Sequence, residues 1–287
     1  MDGVETSVVG NAGQGLMGRT FYKMSGSGND FVFFDVRKEP AGHLEAPEAV
    51  RALSARGTGV GADGVVFLDR KADDRIAIRY YNSDGSLGEL CGNATLCALR
   101  LANELRMVSS DEVRIDTDAG LIHARMADGL PEIDLALVSE VHAEVGAIPR
   151  LQREQLLGFA RAGVPHIVIL DEDVESADII GRGSRIRRDQ SLTDGANVNF
   201  LSPAGPDWRI RTYERGVEGE TLACGTGAVA AGILLTTWGR ADSPIRLLTR
   251  SGRRLEVRVT REGAAWKPSL RGPAEIVFMG ELRDLYV

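Results

Sequence analysis

Three cysteines occur in this chain of 287 residues, and two of them sit in matching settings. Cys91-Gly92-Asn93 and Cys224-Gly225-Thr226 each lead directly into a run of small and apolar residues that reads as a helix. A strand-like segment precedes each, over 76–82 and 208–214, and the two cysteines lie close to half a chain length apart. The spacing predicts an internal duplication that contributes one thiol from each half. A thiol at a helix start is chemically useful. The helix N-terminus can lower its pKa below the ~8.5 of a free thiol. The N–H groups of Gly92, Asn93, Gly225 and Thr226 can hold a carboxylate. Glycine after each cysteine lets a ligand approach the backbone. Two such ends facing each other suit removal of a proton from the carbon beside a carboxylate, with return from the opposite face. Cys97 is different: flanked by Leu96 and Ala98 inside the helical run, it reads as a small buried hydrophobe.

Other chemistries lack their residues. The histidines, His43, His123, His142 and His166, show no metal-ligand spacing, and no pair of CxxC motifs occurs. None of Lys23, Lys38, Lys71 and Lys267 lies in a pyridoxal-phosphate context, so a cofactor-free reaction is expected. The turn Gly26-Ser27-Gly28 is followed by a strand and not by Gly-Lys-Ser/Thr, which argues against nucleotide binding. A net charge of −7 argues against a nucleic-acid surface, and the basic run 182–188 reads as a solvated helix face. No apolar run reaches the length of a membrane span and no secretory signal opens the chain, so a reducing cytoplasm is the expected location.

The elements that must position the thiols are short. Residues 1–18, rich in glycine and small polar residues, are expected to form a flexible tail. Strands are expected over 21–24, 31–35, 65–68, 113–116, 121–125, 133–135, 166–170, 197–201, 245–249, 255–260 and 274–278, with a short helix over 47–56. The second central helix, 227–238, carries no charge on any face and ends at Gly239, so it must be buried all round. Many short strands with one strongly apolar helix per half predict an α+β protein of two similar domains.

Six motifs, taken in order, carry a resemblance. They are Lys23-Met24-Ser25-Gly26-Ser27-Gly28-Asn29-Asp30-Phe31, Asn82-Ser83-Asp84-Gly85-Ser86, Cys91-Gly92-Asn93, Pro165-His166, Gly195-Ala196-Asn197-Val198-Asn199-Phe200, and Tyr213-Glu214-Arg215-Gly216 through Ala223-Cys224-Gly225-Thr226-Gly227. From about Phe21 onward the chain resembles the diaminopimelate epimerase family. The resemblance implies two pseudo-symmetric domains, 19–133 plus 273–287 and 134–272, each a curved mixed or antiparallel sheet wrapped around a central helix. The active site then lies in the cleft between them. It also implies a homodimer, no cofactor, and an amino-acid substrate, LL-2,6-diaminopimelate, converted to the meso form for lysine and cell-wall synthesis. Cys91 and Cys224 take the positions of the family's acid–base pair, assisted by His166 and Glu214. Asn29, Asn82, Gly92, Asn93, Asn197, Glu214, Arg215, Gly225 and Thr226 take substrate-contacting positions, with Arg215 suited to a carboxylate.

The chain departs from the family pattern at Val164, where an Asn that helps hold the distal end of the substrate is usual. It departs also at Ala94, Leu96 and Leu87-Gly88. These departures bear on substrate identity and leave the thiol pair intact. The same-family alternative is a racemase of another amino acid. From other classes come a thiol–disulfide redox sensor built on Cys91 and Cys224, and a dehydratase needing one basic cysteine.

Overall fold

The structure, a computed structural model, describes residues 18–283; the expected tail lies outside the described residues except for Gly18. The fold is α+β in two pseudo-symmetric halves, and the symmetry is written in the strand pairing. In the first half Thr20–Gly26 and Asn29–Asp35 form a hairpin, and Gly64–Ala72 joins parallel to its second strand. Arg75–Asn82 follows antiparallel, Glu112–Thr117 parallel, then Gly120–Ala127 and Leu130–Asp134 antiparallel. The second half repeats this sequence of senses with Glu154–Ala162, Val164–Asp171, Asn197–Ala204, Asp207–Glu214, Ile245–Leu248, Arg254–Glu262 and Ala265–Arg271.

Leu130–Asp134 pairs antiparallel with Ala265–Arg271, which fuses the halves into one continuous sheet. At the outer ends Ala274–Glu281 adds to Thr20–Gly26, and Val141–His142 adds to Glu154–Ala162.

Each half wraps a central helix, Gly92–Glu104 or Gly225–Thr237, and both helices belong to one buried cluster. The outer face of each half-sheet is covered by a short helix, Pro47–Ser54 or Ile179–Arg187, over its own apolar cluster. Strands such as Val164–Asp171 are therefore buried on both faces, which is why they read as continuous apolar runs. Gly225–Thr237 is buried from Gly227 to Leu235, as its lack of charge predicts.

Both central helices end alike. Arg240 N–H donates to Leu235 O (2.9 Å) and Gly239 N–H to Thr236 O (3.0 Å), with Gly239 at φ 66°. Met107 and Arg106 make the matching pair of bonds to Ala102 O and Asn103 O, but here Arg106 holds the left-handed position, at φ 51°. No helix among the described residues is long and apolar enough to cross a membrane.

Some expectations need correction. The helices run Pro47–Ser54 and Gly225–Thr237, so the second begins directly after Cys224. The run 182–188 is not simply a solvated face: Arg182 is buried and its guanidinium donates to both Glu154 carboxylate oxygens (2.8 Å each) and to Pro149 O (2.7 Å).

Candidate active site

Cys91 and Cys224 take almost the same backbone conformation, φ −128°, ψ 112° and φ −135°, ψ 111°, each extended and immediately ahead of its helix. Their carbonyls accept the first helical bonds, from Thr95 N–H and Ala228 N–H, both at 2.9 Å. The two helix starts meet across the seam of the sheet. A side chain at Gly225 would stand 4.0 Å from Gly92 Cα and 3.1 Å from Leu270 Cδ2, and one at Gly92 would stand 3.2 Å from the same Leu270 atom. A Cβ after either cysteine would press on the Leu270 methyl, so glycine keeps the two helix starts close as well as opening a route to the backbone. Cys97 is fully buried inside the first helix and packs against Gly26.

An open cleft of about 980 Å³ runs between the halves, walled by Asn29, Asn82 and Cys91 from one half and Glu214 and Arg215 from the other. Cys224, Gly92, Asn93, Gly225, Asn197 and His166 are buried, while Thr226 is half-buried with its hydroxyl 3.6 Å from Cys224 Sγ. All the expected site residues therefore belong to the two helix starts, the cleft wall or the strand ends behind it.

Charge is disfavoured on both sulfurs. Burial pushes the Cys91 thiol up to about 11, against the nearby N–H groups of Ala94 and Asn93, which pull the other way without forming a helix cap. Burial, reinforced by the Glu214 carboxylate, pushes Cys224 up to about 12. The expected lowering by the helix N-termini is outweighed, because removing a thiolate from water opposes it more strongly than a few amides favour it. Burial raises the Glu214 carboxyl above its ordinary value too, with the Asp63 charge adding to the shift. His166 is driven down to about 3 by burial, with the positive charge of Arg215 acting in the same direction, so its ring is neutral.

The polar side chains are held in relays that sequence reasoning did not find. Asn29 Nδ2 donates to Asp63 Oδ2 (3.0 Å), which turns Asn29 Oδ1 toward Asn93 Nδ2 (2.6 Å). Asn93 Oδ1 is left a buried acceptor without a partner among the described residues, 3.7 Å from where a Gly225 side chain would stand. Arg56 fixes Asp63 in turn, donating to Asp63 Oδ1 (2.7 Å) and to both Asp30 oxygens. Tyr80 donates to Asn82 Oδ1 (2.9 Å), and Asn82 Nδ2 donates to Ser86 Oγ (3.0 Å). Asn197 Oδ1 accepts from Arg215 N–H (2.7 Å), while Arg215 Nη1 donates to Asp194 O (3.0 Å). No group of three or more His, Cys, Asp or Glu placed to hold a metal occurs among the described residues.

A family model for diaminopimelate epimerase matches residues 21–134 and 158–277. The chain belongs to the diaminopimelate epimerase family. It is 45% identical over 278 residues to the diaminopimelate epimerase of Gemmatimonas aurantiaca, a match that spans 93% of this chain and 100% of that one. It is 37% identical to that of Aquifex aeolicus, over 92% and 98% of the two chains. A phenazine biosynthesis protein of the PhzF family from Bacillus anthracis shares the architecture, with a TM-score of 0.74 over 92% of this chain and 98% of that one. At 12% identity that likeness concerns the fold alone.

Family membership makes the protein an isomerase of the epimerase class. The stretch between the two matched blocks is the passage from one half to the other, and it includes the edge strand Val141–His142.

Proposed function

We propose that the protein interconverts LL- and meso-2,6-diaminopimelate by a cofactor-free exchange of one α-proton between two thiols. The observation that carries this reading is the meeting of the Cys91 and Cys224 helix starts at Leu270, with Glu214 acting electrostatically on both sulfurs. One sulfur, as thiolate, takes the α-proton; the other, as thiol, gives a proton to the opposite face. One S–H bond forms and one breaks, so the enzyme ends with its two sulfurs in exchanged protonation states. The charge that develops on the substrate carboxylate is stabilised by the amides after both cysteines.

A desolvated thiolate is a stronger base than a solvated one, which suits a weakly acidic carbon. The Glu214 charge opposes ionisation of both thiols and so makes whichever sulfur is ionised the stronger base. Asn29, Asn82, Asn93, Asn197, Arg215 and Thr226 hold the substrate. The reaction supplies lysine and peptidoglycan synthesis in the cytoplasm, where thiols stay reduced.

The protein acts as a homodimer. Supporting this, among the described residues the strand Ala274–Glu281 pairs on one side only, with Thr20–Gly26, and carries the neighbouring exposed side chains Val277, Phe278 and Met279.

The test is α-proton exchange of diaminopimelate in D₂O. Cys91→Ala and Cys224→Ala should each nearly abolish epimerisation, whereas Cys97→Ala, fully buried inside the first helix, should keep most of it. Substantial turnover by either of the first two variants defeats the two-thiol assignment. Faster exchange of an amino acid lacking the distal amino-carboxylate group replaces diaminopimelate with another substrate of the same chemistry.

A further inference from the structure

The two thiols do not have equivalent surroundings, and the strand ladders show where they differ. Phe31 pairs with Gly64 as His166 pairs with Asn197, and Phe33 with Val66 as Val168 with Asn199. Val66 pairs with Tyr80 as Asn199 pairs with Thr212. Phe31, Val66 and Tyr80 in the first half therefore hold the places of His166, Asn199 and Thr212 in the second. In the first half these places carry an aromatic contact, with Phe31 and Tyr80 ring centroids 6.1 Å apart. In the second they carry a buried polar chain.

That chain has one consistent proton arrangement. Asn199 Nδ2 lies 3.0 Å from Ile167 O, a group that only accepts, so the amide nitrogen must face it. Asn199 Oδ1 then accepts from Thr212 Oγ1 at 2.9 Å. The second Nδ2 proton falls on His166 Nδ1, 3.1 Å away, which must be an unprotonated acceptor. The ring proton is thereby placed on Nε2. His166 is fully buried, and Nε2 has no partner among the described residues. An orphaned buried donor is rare and calls for an occupant. The chain abuts one thiol: Asn199 Oδ1 fills the place a Gly227 side chain would need, and Cys224 Sγ lies 3.2 Å from that same point.

We propose that Asn199 is a positioning residue that locks His166 in its Nε2–H tautomer, so that the imidazole, in the polar chain beside Cys224, serves as a neutral hydrogen-bond donor and not as a base. The ring stays neutral because burial and the Arg215 charge both oppose the imidazolium. The first half, with Phe31 and Tyr80 in these places, holds no imidazole, and the Tyr80 hydroxyl is spent on Asn82 Oδ1, so the device belongs to one thiol alone. The role in turnover rests on the two-thiol reading given above; the tautomer does not.

Nitrogen NMR of the whole protein labelled in histidine reads the tautomer without turnover, and His166→Gln identifies the resonance among the four histidines. A protonated Nε2, a bare Nδ1 and no titration between about pH 5.5 and 9 are expected, where an ordinary histidine of pKa ~6.5 would titrate. A proton on Nδ1, or a ring that titrates in that range, overturns the proposal.

In the exchange assay His166→Gln, which keeps an N–H donor, should stay within about tenfold of the parent kcat, while His166→Leu should lose ~100-fold or more. Equal loss in both variants overturns the donor role. Asn199→Leu should lower kcat roughly 10- to 100-fold with KM within about threefold, and should give mixed tautomers. A folded Asn199→Leu protein with the parent tautomer and kcat overturns the lock. Should that variant not fold, the parent spectrum and the His166 pair decide. A parent protein inert toward diaminopimelate sinks the proposed function while leaving the tautomer standing.

Discussion

Alkylation of Cys91 by iodoacetamide should be slow at neutral pH and should keep accelerating far past the range of an ordinary thiol. The perturbation is pH itself, and the contest is between burial and the helix N-terminus. At pH 7.5 a thiol held at about 11 is ~3 parts in 10⁴ thiolate, against roughly one part in ten at a pKa of ~8.5, a deficit of about 300-fold. The more basic thiolate is the better nucleophile. With a Brønsted slope of ~0.4–0.5 over ~2.5 pKa units, it recovers about 10- to 20-fold of that deficit. Cys91 should therefore react roughly 15- to 30-fold more slowly than a free thiol before restricted access slows it further.

Restricted access scales the rate alike at every pH, so the pH slope carries the test. Peptide mass spectrometry after timed quenching separates the three cysteines, and fully buried Cys97 serves as the internal control for unfolding. Between about pH 7 and 10 the logarithm of the Cys91 rate should rise by close to one per pH unit, as expected well below a thiol's pKa. Cys224, pushed up to about 12, should follow the same slope at a lower rate. A plateau near pH 8 to 9 for Cys91, with Cys97 still protected, would show that the helix amides win. That result refutes the electrostatic reasoning given for both thiols.

Val164 stands at the ladder position that Asn29 holds in the first half, since Val164 opposes Ala162 as Asn29 opposes Gly26. An added polar contact to a charged substrate end contributes ~1.5–3 kcal/mol, so Val164→Asn should lower the KM for diaminopimelate roughly ten- to a hundredfold with little change in kcat; an unchanged KM places this residue out of reach of the substrate. Arg106 occupies a left-handed helix end at φ 51°, where its mirror position is Gly239. A non-glycine residue there costs ~1–2 kcal/mol, part of which glycine loses again through its freer unfolded chain, so Arg106→Gly should stabilise by about 0.5–1 kcal/mol. Calorimetry should show a Tm higher by ~1–3 °C, and a lower Tm removes the strain argument.

The thiol pair and the helices behind it were legible because their signals are local. A Cys-Gly pair ahead of small residues, an uncharged apolar run and Gly239 at its end need no knowledge of distant contacts. Glu154–Ala162 and Ala265–Arg271 were not legible. Glu154–Ala162 is rich in residues that favour helices, and its pairing to Val164–Asp171 overrides that preference. The basic run 182–188 misleads for a similar reason, since the burial of Arg182 depends on Glu154, 28 positions earlier. Asp63 and Asn199 gain meaning only when folding carries Asn29 and His166 to them. The sign of the thiol shifts was hidden most deeply. A helix start can be read from a few residues, but burial is a property of everything that packs around them.

One side chain ties the fold to the chemistry. Leu270 sits on the strand that fuses the halves, opposite Ile133, and both helix-start glycines rest against its Cδ2. The ladder there continues through Ser269 with Asp134 and Arg271 with Glu132. Glu132 is buried and accepts from Ser269 Oγ at 2.6 Å, so the seam is pinned by a polar contact beside the apolar one. Two acid–base groups acting on opposite faces of one carbon must keep a fixed separation, and a continuous ladder under both helix starts provides it without needing either half to be rigid elsewhere. Duplication alone, however, would make the two sides of the cleft alike, whereas a centre undergoing inversion is approached from two different faces. The register places the aromatic set of Phe31 and Tyr80 on one side and the polar set of His166, Asn199 and Thr212 on the other. The same comparison sets Asn82 against Glu214, each the residue after a paired tyrosine, Tyr81 or Tyr213. The backbone supplies the symmetry that brings two thiols together. These side chains supply the asymmetry that lets the two thiols differ.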